Sequence, residues 1–281
     1  MRIGSHVSIA GGIWLAPGNA AKVGAEVFQI FSRSPHGGPV KPIDQETQEK
    51  FAAEMKKYGL DTFYIHTPYF INLGSVKNNI YYGSISVLRQ ELERGSDLGC
   101  RAVMTHIGSF GELTEKQGLE RVVMALDKVL EGYQGTTQLL LEISAGAGRI
   151  IGDTFEEIAE ILDHPKFKKR HLAVCFDTCH AFTSGYPLRN EKEVEKTLQQ
   201  FDKIIGFERL VLVHANDSKS DLGRHLDRHE HIGKGFIGLE GFRALVNHKH
   251  LSKLDWILET PKDDPKDDPD NITILKKLRG D

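Results

Sequence analysis

The run LLLEIS (139–144) ends three consecutive leucines on a carboxylate, Glu142. A short, unbroken apolar run is what a strand buried on both faces looks like. An ionisable group at the end of such a strand is costly unless it is paired or bound to a metal. Working outward, five other runs finish the same way. FYIHTPY (63–69) delivers His66, VMTHIG (103–108) His106, AVCFDTCH (173–180) Asp177 and His180, VLVHAND (211–217) His214, and DWILET (255–260) Glu259. Strand-like runs lie at 2–7, 27–33, 62–69, 102–108, 138–144, 172–178, 210–216 and 256–260, with helix-like segments such as 44–59, 85–99 and 192–206 between them. Eight strands alternating with helices predict an α/β chain folded as a single (β/α)8 TIM barrel over residues 1–281. An open doubly wound sheet does not normally draw ligands from so many strands. In a closed barrel every strand C-terminus converges on one face, so a metal site is expected there.

Bulk properties are those of a soluble globular protein, with 40% apolar and 27% charged residues. No apolar run reaches the roughly 20 residues that span a bilayer, and MRIGSHVSIAGG lacks the apolar core of a secretory signal. A cytoplasmic protein without membrane partners is expected. The three cysteines, Cys100, Cys175 and Cys179, cannot form a disulfide framework and read as small buried hydrophobes. The net charge of −3 weighs mildly against a nucleic-acid binder. Divalent cations at an acidic site would reverse that locally. The stretch PKDDPKDDPDN (261–271) reads as a solvated loop before the last helix.

Imidazole and carboxylate together suit zinc, manganese or iron. The candidate ligands are His66, His106, Glu142, Asp177, His180, His214, Asp227, His229 and Glu259, too many for one tetrahedral ion. GRHLDRHEH (223–231) contributes Asp227, His229 and His231 at alternating positions, which point the same way in extended backbone. Asp177 and His180 can share one turn face or reach different ions. His164, His171, His248 and His250 read as surface residues, His36 as part of a Gly/Pro loop, and His6 as a residue that packs behind the ligands. Five histidines and four carboxylates around three divalent zinc ions leave a site of about +2, attractive to phosphate. Two ions ~3.5–4 Å apart can activate water and clamp both oxygens of a phosphodiester displacement.

The segments IGSHVSIAGG (3–12), HTPYFINL (66–73), LEISAGAG (141–148), FDTCHAFTSGY (176–186), HANDSK (214–219), DRHEHIGKGFIG (227–238) and LETP (258–261) resemble, in order, those of the endonuclease IV family of apurinic/apyrimidinic endonucleases. The resemblance implies a TIM barrel with three zinc ions that cuts duplex DNA 5′ to an abasic site, leaving a 3′-hydroxyl and a 5′-deoxyribose phosphate. It also implies 3′-phosphodiesterase end-cleaning and leaves open the exchange of one zinc for manganese. Carried over by motif, His66 and His106 hold one zinc with Glu142 as a bridge. Glu142, Asp177, His214 and Glu259 surround the second, and His180, Asp227 and His229 hold the third. Glu142 and Glu259 also assist proton transfer, and His231 falls outside the set. Tyr69 matches a family tyrosine near the abasic site. In SRSPHGGPVKP (32–42), His36 and Gly37 stand where some members insert Arg and Gln into the minor groove, which leaves Arg33 and His36 as candidate wedges. Backbone N–H groups of 144–149 and 233–238, with Arg149, Lys219, Arg228 and Lys234, are expected to meet phosphates. LEISAG departs from the LENTAG often seen in the family.

The main rival is a divalent-metal sugar isomerase or epimerase of the xylose-isomerase-like barrels, against which the His180, Asp227 and His229 trio weighs. A structural zinc protein is disfavoured because such sites are usually mononuclear and Cys-rich. No exposed heptad or apolar stripe stands out, so a monomer is expected.

Overall fold

The computed structural model describes residues 1–38, 40–167 and 172–280; His171 lies outside them. Eight parallel strands close a barrel: β1 (Ile3–His6), β2 (Val27–Ile30), β3 (Phe63–His66), β4 (Ala102–Thr105), β5 (Gln138–Glu142), β6 (Leu172–Asp177), β7 (Leu210–His214) and β10 (Asp255–Leu258). Neighbours follow chain order, and β1 pairs with β10 to seal the seam. The remaining two strands, β8 (Asp217–Ser218) and β9 (His229–Glu230), form a short antiparallel ladder above β7. Helices α1 (Ala16–Lys22), α2 (Gln45–Lys57), α3 (Asn78–Leu98), α4 (Glu115–Leu130), α5 (Phe155–Leu162), α7 (Glu191–Ile204), α8 (Gly238–Asn247) and α9 (Asp267–Arg279) surround it, and α6 (Thr178–Thr183) follows β6 directly. All eight predicted strands form, most of them stopping two or three residues before their expected C-terminal ends.

Local chemistry sets the helix ends. Asp44 and Thr114 cap α2 and α4 through their side chains, Thr114 within a capping box with Gln117. Gly99 ends α3 with φ +74°, a left-handed turn cheapest for glycine. Two expectations need correcting. Helix α3 starts at Asn78, not 85; its inward position at Ser84 is polar and interrupts the apolar period there. Within 261–271, residues from Asp267 are helical: Asp267, Asp268 and Asp270 suit the positive end of α9, and Pro269 occupies its first turn, where the missing N–H costs nothing.

Strand periodicity builds the interior in two layers. Tyr64, Met104, Leu140, Cys175, Leu212, Ile257 and Val27 pack together inside the barrel. Two residues further on, the same strands or their ends carry His66, His106, Glu142, Asp177, His214, Glu259 and Gln29, on the same side by the period of two. On β1 the corresponding pair is Gly4 and His6. Gly4 has no room for a side chain, since a Cβ would lie 1.5 Å from the Val27 carbonyl oxygen. The β6–β7 register shifts between Val174 and Cys175, which brings Asp177 level with His214. At the opposite end of the barrel, Asp255 accepts hydrogen bonds from Arg2 (2.9 and 2.8 Å) and from the Tyr64 hydroxyl (2.7 Å).

Candidate metal centre

The nine predicted ligands converge on the C-terminal rim. Among the described residues, donor atoms lie within 4.8 Å of one another in the groups His66–His106–Glu142, Glu142–Asp177–His214–Glu259 and His180–Asp227–His229. Asp177 and His180 belong to different groups. Asp177 Oδ1 accepts the His180 N–H (2.8 Å) and caps α6, while Oδ2 accepts from Asn216 Nδ2 (2.7 Å). Alternation in 227–231 holds for Asp227 and His229 only; His231 turns to Asn271 Nδ2 (3.0 Å).

Backbone carbonyls orient the imidazoles. His66 Nδ1 donates to Thr67 O (2.6 Å), His180 Nδ1 to Ile143 O (2.9 Å) and His229 Nδ1 to Glu259 O (3.0 Å). A carbonyl only accepts, so these nitrogens carry a proton, and in the neutral ring each Nε2 presents a lone pair. His180 Nε2 and His229 Nε2 then face each other at 3.4 Å, and each lies 3.3 Å from Asp227 Oδ1. Three such atoms so close repel unless a proton or a metal cation sits among them. A tetrahedral zinc with ligands at ~2.0–2.1 Å has edges of ~3.3 Å. Glu142 Oε2 makes the same point. It is buried with no hydrogen-bond donor, 3.2 Å from His66 Nε2 and 3.7 Å from His106 Nε2. The nitrogen and oxygen donors present fit zinc or a similar divalent ion.

Electrostatics agree. Burial alone would raise the Glu142 pKa, but His106, His214 and His66 hold it well below the ordinary carboxylate value. Burial likewise opposes charge on Glu259, yet His214, His6 and His66 keep it low. His180 is raised well above the usual histidine value despite burial, by Asp177 and Asp227. Cys175 and Cys179 lie close to the same atoms, but both are buried, and burial lifts the Cys175 thiol to about 12, so both read as packed thiols.

Two buried residues that sequence reasoning passed over, Gln29 and Asn216, hold the candidate ligands together with His6. Gln29 donates to Glu259 Oε1 (2.6 Å), and its Oε1 lies 2.9 Å from His214 Nε2. Asn216 joins Asp177 to the Glu259 N–H (2.8 Å). His6 pairs with Gln29 (3.0 Å) and lies 3.8 Å from Glu259, behind the ligands as expected. A polar residue inside an apolar run, as in VFQI, was the available signal for Gln29.

The cavity over these groups, about 310 Å³, is lined by His6, Phe31, Tyr69, Thr260 and Lys262 besides the ligands. A larger cleft of about 520 Å³ lies between α7 and α8 on the barrel's outer side, away from them. Tyr69 is 65% exposed, with its ring edge-on to Phe31. His36, Lys219, Arg228 and Lys234 are exposed. Arg149 is exposed but lies over the Phe110 ring and donates to Leu113 O. Arg33 is not presented to solvent: it is 7% exposed and bound to Glu91 and Gln90. Nor are the amides of 233–238 free for phosphate. Those of Gly233, Gly235, Ile237 and Gly238 donate to the Asp217 carboxylate, and those of Lys234 and Phe236 to carbonyls. His248 is half-buried, lining the outer cleft and packed beside Phe207 and His250.

A closed α/β barrel with ligand groups at the strand C-termini defines a class, and residues 17–278 match the family of xylose isomerase-like TIM barrels. Within it, a protein of Methanoculleus marisnigri named probable endonuclease 4 is 41% identical over 279 residues, covering 99% of each chain. The crystal structure of endonuclease IV from Thermus thermophilus matches with a TM-score of 0.87 at 33% identity, over 99% of this chain and 98% of that one. A D-tagatose 3-epimerase-like protein matches at a TM-score of 0.74 and 21% identity, over 99% and 97%, a likeness of architecture alone. The chain belongs to the endonuclease IV family of nucleases.

Proposed function

We propose that this protein is a DNA repair endonuclease that hydrolyses the phosphodiester 5′ to abasic sites in duplex DNA, leaving a 3′-hydroxyl and a 5′-deoxyribose phosphate, and that also trims blocked 3′ ends. The observation that carries the reading is the triangle of His180 Nε2, His229 Nε2 and Asp227 Oδ1, with sides of 3.3–3.4 Å. A sugar epimerase needing one ion has no use for that third group. Three zinc ions fit the groups His66–His106–Glu142, Glu142–Asp177–His214–Glu259 and His180–Asp227–His229, with Glu142 shared. When bound, they supply Lewis acidity at the phosphate and water activated near neutral pH. The chain's own residues do the rest. Glu142 and Glu259 accept and return protons at the cavity floor. Asn216 and Gln29 hold Asp177, His214 and Glu259 in place. Tyr69 offers an aromatic face at the rim for the unstacked sugar or its neighbour base. His36, Arg149, Lys219, Arg228 and Lys234 provide contacts along the DNA. The protein acts as a cytoplasmic monomer.

Metal analysis of chelator-free protein should find about three zinc per chain, and a duplex with one abasic site should be nicked on its 5′ side. Glu142→Gln should cut incision by well over the roughly 100-fold typical of losing a residue that only supports a ligand. Turnover of a ketose with no nicking would replace this reading with the epimerase one.

A further inference from the structure

Lys262 is the one lysine or arginine among the described residues that line the metal cavity. It stands three residues past Glu259, in the segment between β10 and α9. Its ammonium group is held at two points: it donates to the His6 carbonyl oxygen at the end of β1 and to Asp268 Oδ2 in the first turn of α9. Asp268 is itself buried, so the clamp is anchored in the body of the protein. An ammonium has three donor protons, and this clamp uses two. The side chain is 41% exposed, which leaves a proton for a partner in the cavity. Asp227 and Glu259 line the same cavity. Both belong to the candidate metal groups, so Lys262 is a cationic donor at this cavity that stands apart from those groups.

We propose that Lys262 is a phosphate-contacting residue of the cleavage site, held by Asp268 and the His6 carbonyl so that its free N–H meets a non-bridging oxygen of a backbone phosphate of the bound strand. The inference rests on the endonuclease reading above and names a contact beyond it. Asp268 is then a positioning residue that acts through Lys262.

Wild type, Lys262→Met, Lys262→Arg and Asp268→Asn should be compared for incision of an abasic duplex and for duplex binding by anisotropy at several salt concentrations, with bound metal and Tm measured alongside. Lys262→Met should lower kcat/KM about tenfold and reduce the salt slope of binding by about 1, the signature of one lost phosphate contact. Lys262→Arg should keep the slope. Asp268→Asn should fall between wild type and Lys262→Met in kcat/KM. An unchanged slope in Lys262→Met, with only Tm lowered, would overturn the proposal and leave Lys262 a purely structural clamp. Wild type that binds duplex without nicking it would defeat the endonuclease reading, and the slope would still decide Lys262. Wild type that binds no duplex would defeat both.

Discussion

At the scale of single residues, the site depends on groups that never face substrate. Asp217 is the clearest. It is fully buried and collects backbone amides from four residues of 233–238, fixing the segment that carries Lys234. Replacing it with alanine leaves those amides without an acceptor. Asp217→Ala should lose at least about 3 kcal/mol, read as a lower urea midpoint, with duplex binding weakened as the segment loosens. Most of the nine clustered residues were legible because a titratable group closing an apolar run has few innocent explanations. Arg33 was not, because a loop arginine looks the same in sequence whether it reaches outward or folds back. Its partner, Glu91, sits nearly 60 positions away on another element.

That partnership belongs to the scale of elements. Glu91 of α3 is completely buried and accepts from Ser32 Oγ (2.6 Å) and Arg33. Arg94, one turn on, donates to Ser32 O (2.7 Å) and Lys41 O (2.6 Å). The helix therefore grips both ends of the loop that presents His36. Glu91→Ala should cost about 3–5 kcal/mol, since it strands a buried guanidinium. The double variant with Arg33→Ala should recover part of that loss, and additive losses would show that the two are uncoupled. The eight strands were readable because their apolar runs are short and sharply bounded. Helix α3 was readable only from its third turn onward, since Ser84 occupies an inward position that hydropathy cannot recognise.

For the whole molecule, the seam between β1 and β10 is reinforced from outside. Arg279, in the last turn of α9, donates twice to Glu26 (2.9 and 3.0 Å), and Glu26 accepts the Ile3 amide (2.9 Å). Burial opposes charge on Glu26, but Arg279 and the Ile3 amide outweigh it and bring its pKa down to about 2 from an ordinary 4.5. A depressed folded-state pKa stabilises fully above the unfolded value and is lost as pH falls through the folded one. Stability should therefore decline between about pH 4.5 and 2, and Glu26→Gln should flatten that part of the profile, as read by Tm against pH. A slope unchanged by the substitution would assign the acid sensitivity elsewhere. Among the described residues no helix is long and apolar enough to cross a membrane.

The pairing of the first strand with the last also has a meaning in time. During synthesis β1 emerges almost at once, but its second neighbour, β10, begins only at Asp255. Until then the nascent sheet keeps two open edges, on β1 and on β7, which is the geometry that invites pairing with other chains. Glu259 lies just beyond β10. The last of the candidate ligands thus leaves the ribosome with the strand that shuts the barrel, so the proposed centre would be complete only on a chain whose sheet can already close.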